Sequence, residues 1–134
     1  MKENRIFVIL EIHSKEDMDF SEIVKTHNIN YKRIWKIGDF RVKGSGITYK
    51  ESGFSVEKIY YNEDYGENCI KDFFKDENTL KVLGIDKFRK FLRIIVYRYS
   101  NMPTLYYDTK LLSFLSKYNI DLDHDIYCLR GDDS

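Results

Sequence analysis

Alanine and glutamine are absent from the 134-residue chain, and proline occurs once. With seven glycines beside that single proline, collagen-like, linker-rich and disordered classes are excluded. No apolar run approaches the ~20 residues that a membrane span needs. The N-terminal run Ile6-Phe7-Val8-Ile9-Leu10 is ended by Glu11, too short for the core of a signal peptide. Cys69 and Cys128 are the only cysteines and sit in no metal or redox spacing. They are expected as two reduced, half-buried thiols of a cytoplasmic protein rather than as a disulfide. Charge of one sign is also missing: 22 basic residues balance 22 acidic ones. That balance argues against a protein that grips nucleic acid mainly through excess positive charge. Nor is there a G-x-S-x-G, a P-loop, a dinucleotide fingerprint or an H-E-x-x-H.

What is present is an ordinary globular composition, 43% hydrophobic and 33% charged, with 11 tyrosines and 9 phenylalanines. The length fits one domain, residues 1–134, with an ordered core over about 5–129. Ile6–Ile12 reads as a strand. Asp19-Phe20-Ser21-Glu22 has capping-box form, and Phe20, Ile23, Val24 and His27 follow on one helical face up to a left-handed stop at Asn28. Arg33–Val42 and Ile47–Tyr49 read as strands around Gly44-Ser45-Gly46. Phe54–Tyr61 reads as another strand, with a slip in alternation near Lys58. A helix opens at Glu67 with Cys69, Ile70, Phe73 and Phe74 on its stripe. It is expected to break at Asp76-Glu77-Asn78 and to end, after Leu80 and Leu83, at Gly84. Leu92–Tyr99 is apolar on both faces, the mark of an inner strand. Asp108 is a cap for a helix striped by Leu111, Leu112, Leu115 and Tyr118; Asn119 stops it and Asp123–Leu129 returns as a strand. Strand, aspartate, short helix and Asn-Ile thus occur twice, at Asn28-Ile29 and Asn119-Ile120. The pattern implies an α+β domain: a mainly antiparallel sheet of five or six strands with about three helices packed on it.

Candidate chemistry is sparse. Asp121, Asp123 and Asp125 begin like a calcium loop, with Asp132 at the twelfth position, but Ile126 stands where such a loop needs glycine. Period-2 alternation puts the three carboxylates on one strand face, solvated or partnered by basic groups. His124 and Cys128, four apart on a strand, lie too far from each other for a nucleophile–base pair. His13 and His27 read as packing or capping residues. Charge is segregated: Lys25–Lys50 carries seven basic residues against Asp39, and Lys87–Arg98 carries five against none. The segments 57–77 and 119–134 are correspondingly acidic. A basic face interleaved with Tyr31, Trp35, Tyr97 and Tyr99 suits stacking on a single strand of nucleic acid or contact with an acidic protein. The plainest alternative is that basic and acidic strands neutralise each other within one sheet.

Four short motifs in order carry a resemblance: Trp35-Lys36-Ile37-Gly38-Asp39, Tyr49-Lys50-Glu51-Ser52-Gly53, Met102-Pro103-Thr104-Leu105-Tyr106-Tyr107-Asp108 and Asp123-His124-Asp125-Ile126-Tyr127. On these the chain resembles a bacterial family known as domain of unknown function 4279, over about Arg5–Leu129. Phe54 departs from the pattern, which often has tryptophan there. The resemblance implies a fold and a bacterial cytoplasm and transfers no mechanism. By analogy with small α+β immunity proteins, the expected role is a protein-binding module of immunity or inhibitor type, not an enzyme. It needs no cofactor, metal or membrane, and its partner would be a protein such as a toxin domain. The alternatives are a nucleic-acid or small-ligand module, or an enzyme with a carboxylate site assembled by the fold. Candidate binding residues are Tyr31, Arg33, Trp35, Asp39, Tyr106 and Tyr107, with Asp121, Asp123 and Asp125 as a rival acidic surface.

Overall fold

A computed structural model describes residues 3–39, 41, 46–85, 87–99 and 101–130. Among these residues the elements run β1 (Arg5–Ser14), α1 (Ser21–Thr26), β2 (Arg33–Trp35), β3 (Ser52–Tyr61), α2 (Gly66–Phe73), α3 (Glu77–Leu83), β4 (Arg89–Arg98), α4 (Thr109–Lys117) and β5 (Ile120–Cys128). The strands form one sheet in the order β2-β3-β1-β4-β5. The pairs β2–β3, β3–β1 and β1–β4 are antiparallel, and β4–β5 is parallel. The sheet is therefore mixed, α+β as the sequence implies, with one parallel pair at its edge. That pair follows from the connection: a strand, a crossing helix and a second strand return the chain in the same direction.

Alternation decides which face is covered. Ile6, Val8, Leu10 and Ile12 of β1 are buried, and so are Leu92, Ile94 and Val96 of β4. With Phe54 and Val56 they join Phe20, Val24, Ile70, Phe73, Phe74, Leu111 and Leu115 in one core. All four helices thus cover the same side of the sheet, and Phe20, Val24, Phe73, Phe74, Leu111 and Leu115 of the expected stripes are buried there. Two stripe positions are corrected. Leu80 and Leu112 are exposed, since each seven- or nine-residue helix needs only a narrow apolar seam. His27 is exposed as well, at the C-cap of α1 rather than on its buried face.

The repeated unit is visible in space. Asn28 and Asn119 both stand in the left-handed region, at φ 52° and 55°, and Ile29 and Ile120 behind them are both buried. Asp108 Oδ1 accepts the Leu111 N–H at 2.8 Å and caps α4. Asp19 sits one residue too early to cap α1: Phe20 is the N-cap, and Asp19 Oδ1 accepts the Ser21 N–H at 2.9 Å. The return strands also differ. β5 lies beside β4, whereas β3 is inserted between β1 and β2.

Other boundaries shift for local reasons. The long helix does break, with Asp76 capping α3 through Thr79 N–H. β3 runs in unbroken register with β1 from Ser52 to Tyr61, so there is no slip at Lys58. Ile59 simply faces the uncovered side, opposite Phe7. β5 begins at Ile120, three residues earlier than expected, because Ile120 and Leu122 already alternate toward the core. β2 stops at Trp35, where a turn with Gly38 at φ 92° and the Lys36 N–H held by Asp39 Oδ2 at 2.8 Å diverts the chain. Beyond it the backbone doubles back, Arg41 N–H to Ile47 O and Tyr49 N–H to Asp39 O, as a hairpin-type pairing without a full strand. The predicted Gly44-Ser45 turn and Val42 lie outside the described residues, as does Asp132. Cys69 and Cys128 are both free, the first buried and the second exposed, so neither is half-buried. No helix among the described residues is long and apolar enough to cross a membrane.

Candidate functional site

The face of the sheet away from the helices is where side chains of opposite character meet. Register places Arg33, Ser55, Glu11, Phe91 and Asp121 in one row across all five strands. The adjacent row runs Trp35, Gly53, His13 and Arg89. Above these rows the doubled-back segment brings Arg41, Thr48, Tyr49, Lys50 and Glu51 over the sheet. Together they enclose a cleft of about 670 Å³.

Trp35 forms one wall and is 7% exposed. Its ring stacks on Tyr49, centroids 5.2 Å apart at 18°, and meets the edge of His13 at 5.6 Å. Gly53 lies beneath the indole, and any Cβ there would sit 2.6 Å from Trp35 Cζ2. His13 is held on both sides: Nε2 is 2.8 Å from Glu11 Oε1 and Nδ1 is 3.1 Å from Glu51 Oε2. Burial alone would raise the Glu11 carboxyl. The hydrogen bond with His13 and the charges of Arg93, His13 and Arg33 outweigh it and hold the group below the usual carboxylate range.

Arg93 reaches Glu11 at 3.7 Å and Asp123 at 3.7 Å, and Arg89 reaches Glu51 at 3.7 Å and Asp121 at 3.8 Å. These contacts are long and partly exposed, so they neutralise charge without fixing geometry. They also account for the acidic strand: Asp121 and Asp123 are partnered by the arginines of β4, in line with the strand-face reading rather than the calcium-loop one.

The sequence candidates therefore divide. Arg33 and Trp35 meet in the cleft, and Asp39 shapes its approach through the Lys36 turn. Tyr31 lies apart, over Val24 and Lys25 of α1. Tyr106 is 72% exposed beside Tyr65 and Glu67 at the start of α2. Tyr107 turns inward, its hydroxyl 2.6 Å from His124 Nε2. Asp125 is exposed on β5, level with Ile95. Missed by the sequence reading are Glu11, His13 and Glu51 as a linked trio, and Arg89, Arg93 and Tyr49 as cleft walls. The two basic segments were the signal, since each contributes cations to this cleft.

A second titratable cluster lies between α2 and β5. Burial, with Glu63 and Asp72 adding to it, pushes the Cys69 thiol up to about 12, which keeps it protonated and a poor nucleophile. Burial, with Cys69 and Glu67 adding to it, likewise pushes the Tyr107 phenol up to about 12. Burial lowers His124 below its ordinary value against the opposing pull of Asp123. The phenol thus donates to a neutral imidazole. Because the unfolded chain binds the His124 proton more readily, this contribution is complete above about pH 6.5 and is lost as the pH falls through the lower folded value. The melting temperature should accordingly drop between pH 7.5 and 5.5, and drop less in His124→Asn. Equal slopes for the two proteins would remove His124 as the cause.

Fold and cleft together define a two-layer α+β protein with one sheet face roofed by helices and the other open and charged. The sequence model of a Domain of unknown function (DUF4279) matches residues 4–129, and the chain belongs to that family. No curated protein and no solved structure matches it.

Proposed function

We propose that this protein is a cytoplasmic binding module of immunity or inhibitor type, which acts by docking another protein, such as a toxin domain, on the open face of its sheet and not by catalysis. One observation carries the reading: the sheet face opposite the helices carries apolar and aromatic side chains. Ile59, Phe7 and Ile95 form one cross-strand row there, and Tyr61, Arg5, Tyr97 and Tyr127 form the next. Tyr97 stacks on Tyr127 at 5.1 Å, and the Arg5 guanidinium lies 5.0 Å from the Tyr97 ring. Tyrosine and arginine on a rigid, half-buried platform are the residues that anchor interfaces once water is expelled. The interleaved Arg93 and Asp123 on the same face favour a partner of mixed charge over a nucleic acid.

A photo-crosslinking residue placed at Tyr61 or Tyr127 and, as control, at Leu112 on the helical side tests the reading in the producing cell. The expected result is one adduct with the same second protein from both sheet positions and none from Leu112. Adducts that are absent, equal from Leu112, or made only with a second copy of the chain would overturn it.

A further inference from the structure

The cleft has a charge surplus that the fold does not use. Six cations line it: Lys15, Arg33, Arg41, Lys50, Arg89 and Arg93. Its two carboxylates, Glu11 and Glu51, are already engaged by His13. Asp121 and Asp123 reach in from the sheet edge only as far as Arg89 and Arg93. Lys15, Arg33, Arg41 and Lys50 have no carboxylate partner within ion-pair distance among the described residues. Arg41 instead lies 5.8 Å from the centroid of the Tyr49 ring. Cations left together in a concave site repel one another and raise the local concentration of anions.

One buried donor points the same way. Trp35 Nε1 has no hydrogen-bond partner among the described residues, whereas Arg93 Nε has the Asp123 carboxylate 3.7 Å away. A buried polar group without a partner costs free energy, and such groups in native proteins mark a missing ion, water or ligand. Four of the six cations are arginines, whose planar forks match the oxygens of phosphate in pairs. The volume of about 670 Å³ is that of a small-molecule site.

We propose that this cleft binds a small polyphosphate-bearing molecule, its phosphate chain lying among Arg33, Arg41, Arg89 and Arg93 against the Trp35 wall. A chain of phosphates offers several charges and many acceptor oxygens on one compact group, which suits dispersed cations better than a single carboxylate does. The site is separate from the apolar rows Ile59–Phe7–Ile95 and Tyr61–Tyr97–Tyr127, so it does not depend on a protein partner.

Trp35 is the only tryptophan in the chain, so its emission reports on the cleft directly. Inorganic tripolyphosphate and ATP are titrated at physiological ionic strength against the wild type, the double variant Arg33→Ala with Arg41→Ala, and the control Lys117→Ala on α4. Both ligands are expected to change the emission saturably. The double variant should bind roughly tenfold more weakly or worse, because charge-assisted bonds are lost, while Lys117→Ala should bind as the wild type does. Tighter binding of ATP assigns the site to a nucleotide; equal binding assigns it to the phosphate chain alone. The proposal is overturned if neither ligand gives a saturable change or if citrate binds as well as tripolyphosphate. It is equally overturned if an oligonucleotide or acidic peptide binds where the small anions do not, or if the double variant keeps full affinity. A melting curve for the double variant, expected to match the wild type because both arginines are exposed, separates lost binding from lost folding.

Discussion

Phe20→Ala is expected to cost about 3–5 kcal/mol of folding stability, the range for emptying a fully buried aromatic site. Phe20 is completely buried. Its ring lies 5.4 Å from Phe54 of β3 and 5.1 Å from Phe88 ahead of β4, so one side chain ties three segments together. It also starts α1, whose six residues have no side-chain cap and are too few to hold a helix unaided. Truncation should therefore act twice, opening a cavity between Phe54 and Phe88 and releasing the amides of residues 21–26. Urea denaturation measures the first effect and hydrogen exchange of those amides the second. A loss under ~1 kcal/mol, the scale of ordinary surface changes, would show that the neighbouring rings close the gap.

Gly53→Ala should cost about 2–3 kcal/mol by overpacking. The new Cβ would collide with the Ile12 carbonyl oxygen and stand 2.6 Å from Trp35 Cζ2. Neither neighbour can give way easily. Ile12 belongs to the central strand, in register with Phe54, and the indole is pressed between Tyr49 and His13. The substitution should thus lower the denaturation midpoint and shift Trp35 emission together. A lower midpoint with unchanged emission would mean that β1 moves instead of the indole, and no change in either would place Trp35 elsewhere.

Much of the architecture was legible because local chemistry and tertiary packing agree. Leu92–Tyr99 alternates with apolar residues on both faces and lies inside the sheet. Asp76 breaks the long helix where the apolar stripe is interrupted. Agreement failed where two local signals competed. Asp19 has the capping spacing, yet the core takes Phe20 and moves the cap by one residue. Ile59 looked like a slipped residue because the open face is itself partly apolar. The cleft was legible only in its ingredients. Arg33 and Arg41 stand in one basic segment and Arg89 and Arg93 in another, and nothing local reveals that β3 and β1 set those segments two strands apart. Glu11 and His13 share a strand face by simple alternation, but Glu51, which completes the trio, arrives through the chain reversal after Gly38.

Of the five strands of the sheet, the earliest in the chain is the one at its middle. Arg5 of β1 pairs with Tyr61 on one side and with Tyr97 on the other. While the chain is being synthesised, Ile6, Val8, Leu10 and Ile12 have no neighbouring strand until β3 emerges, and none on the second side until β4 follows. Every pairing of β1 closes a long loop, which slows assembly and prolongs the time in which an apolar strand has both edges free. Production of this protein should therefore depend on what shields β1 on the ribosome until those strands follow. Mutations in β4, though distant in sequence, would act on that same vulnerable strand.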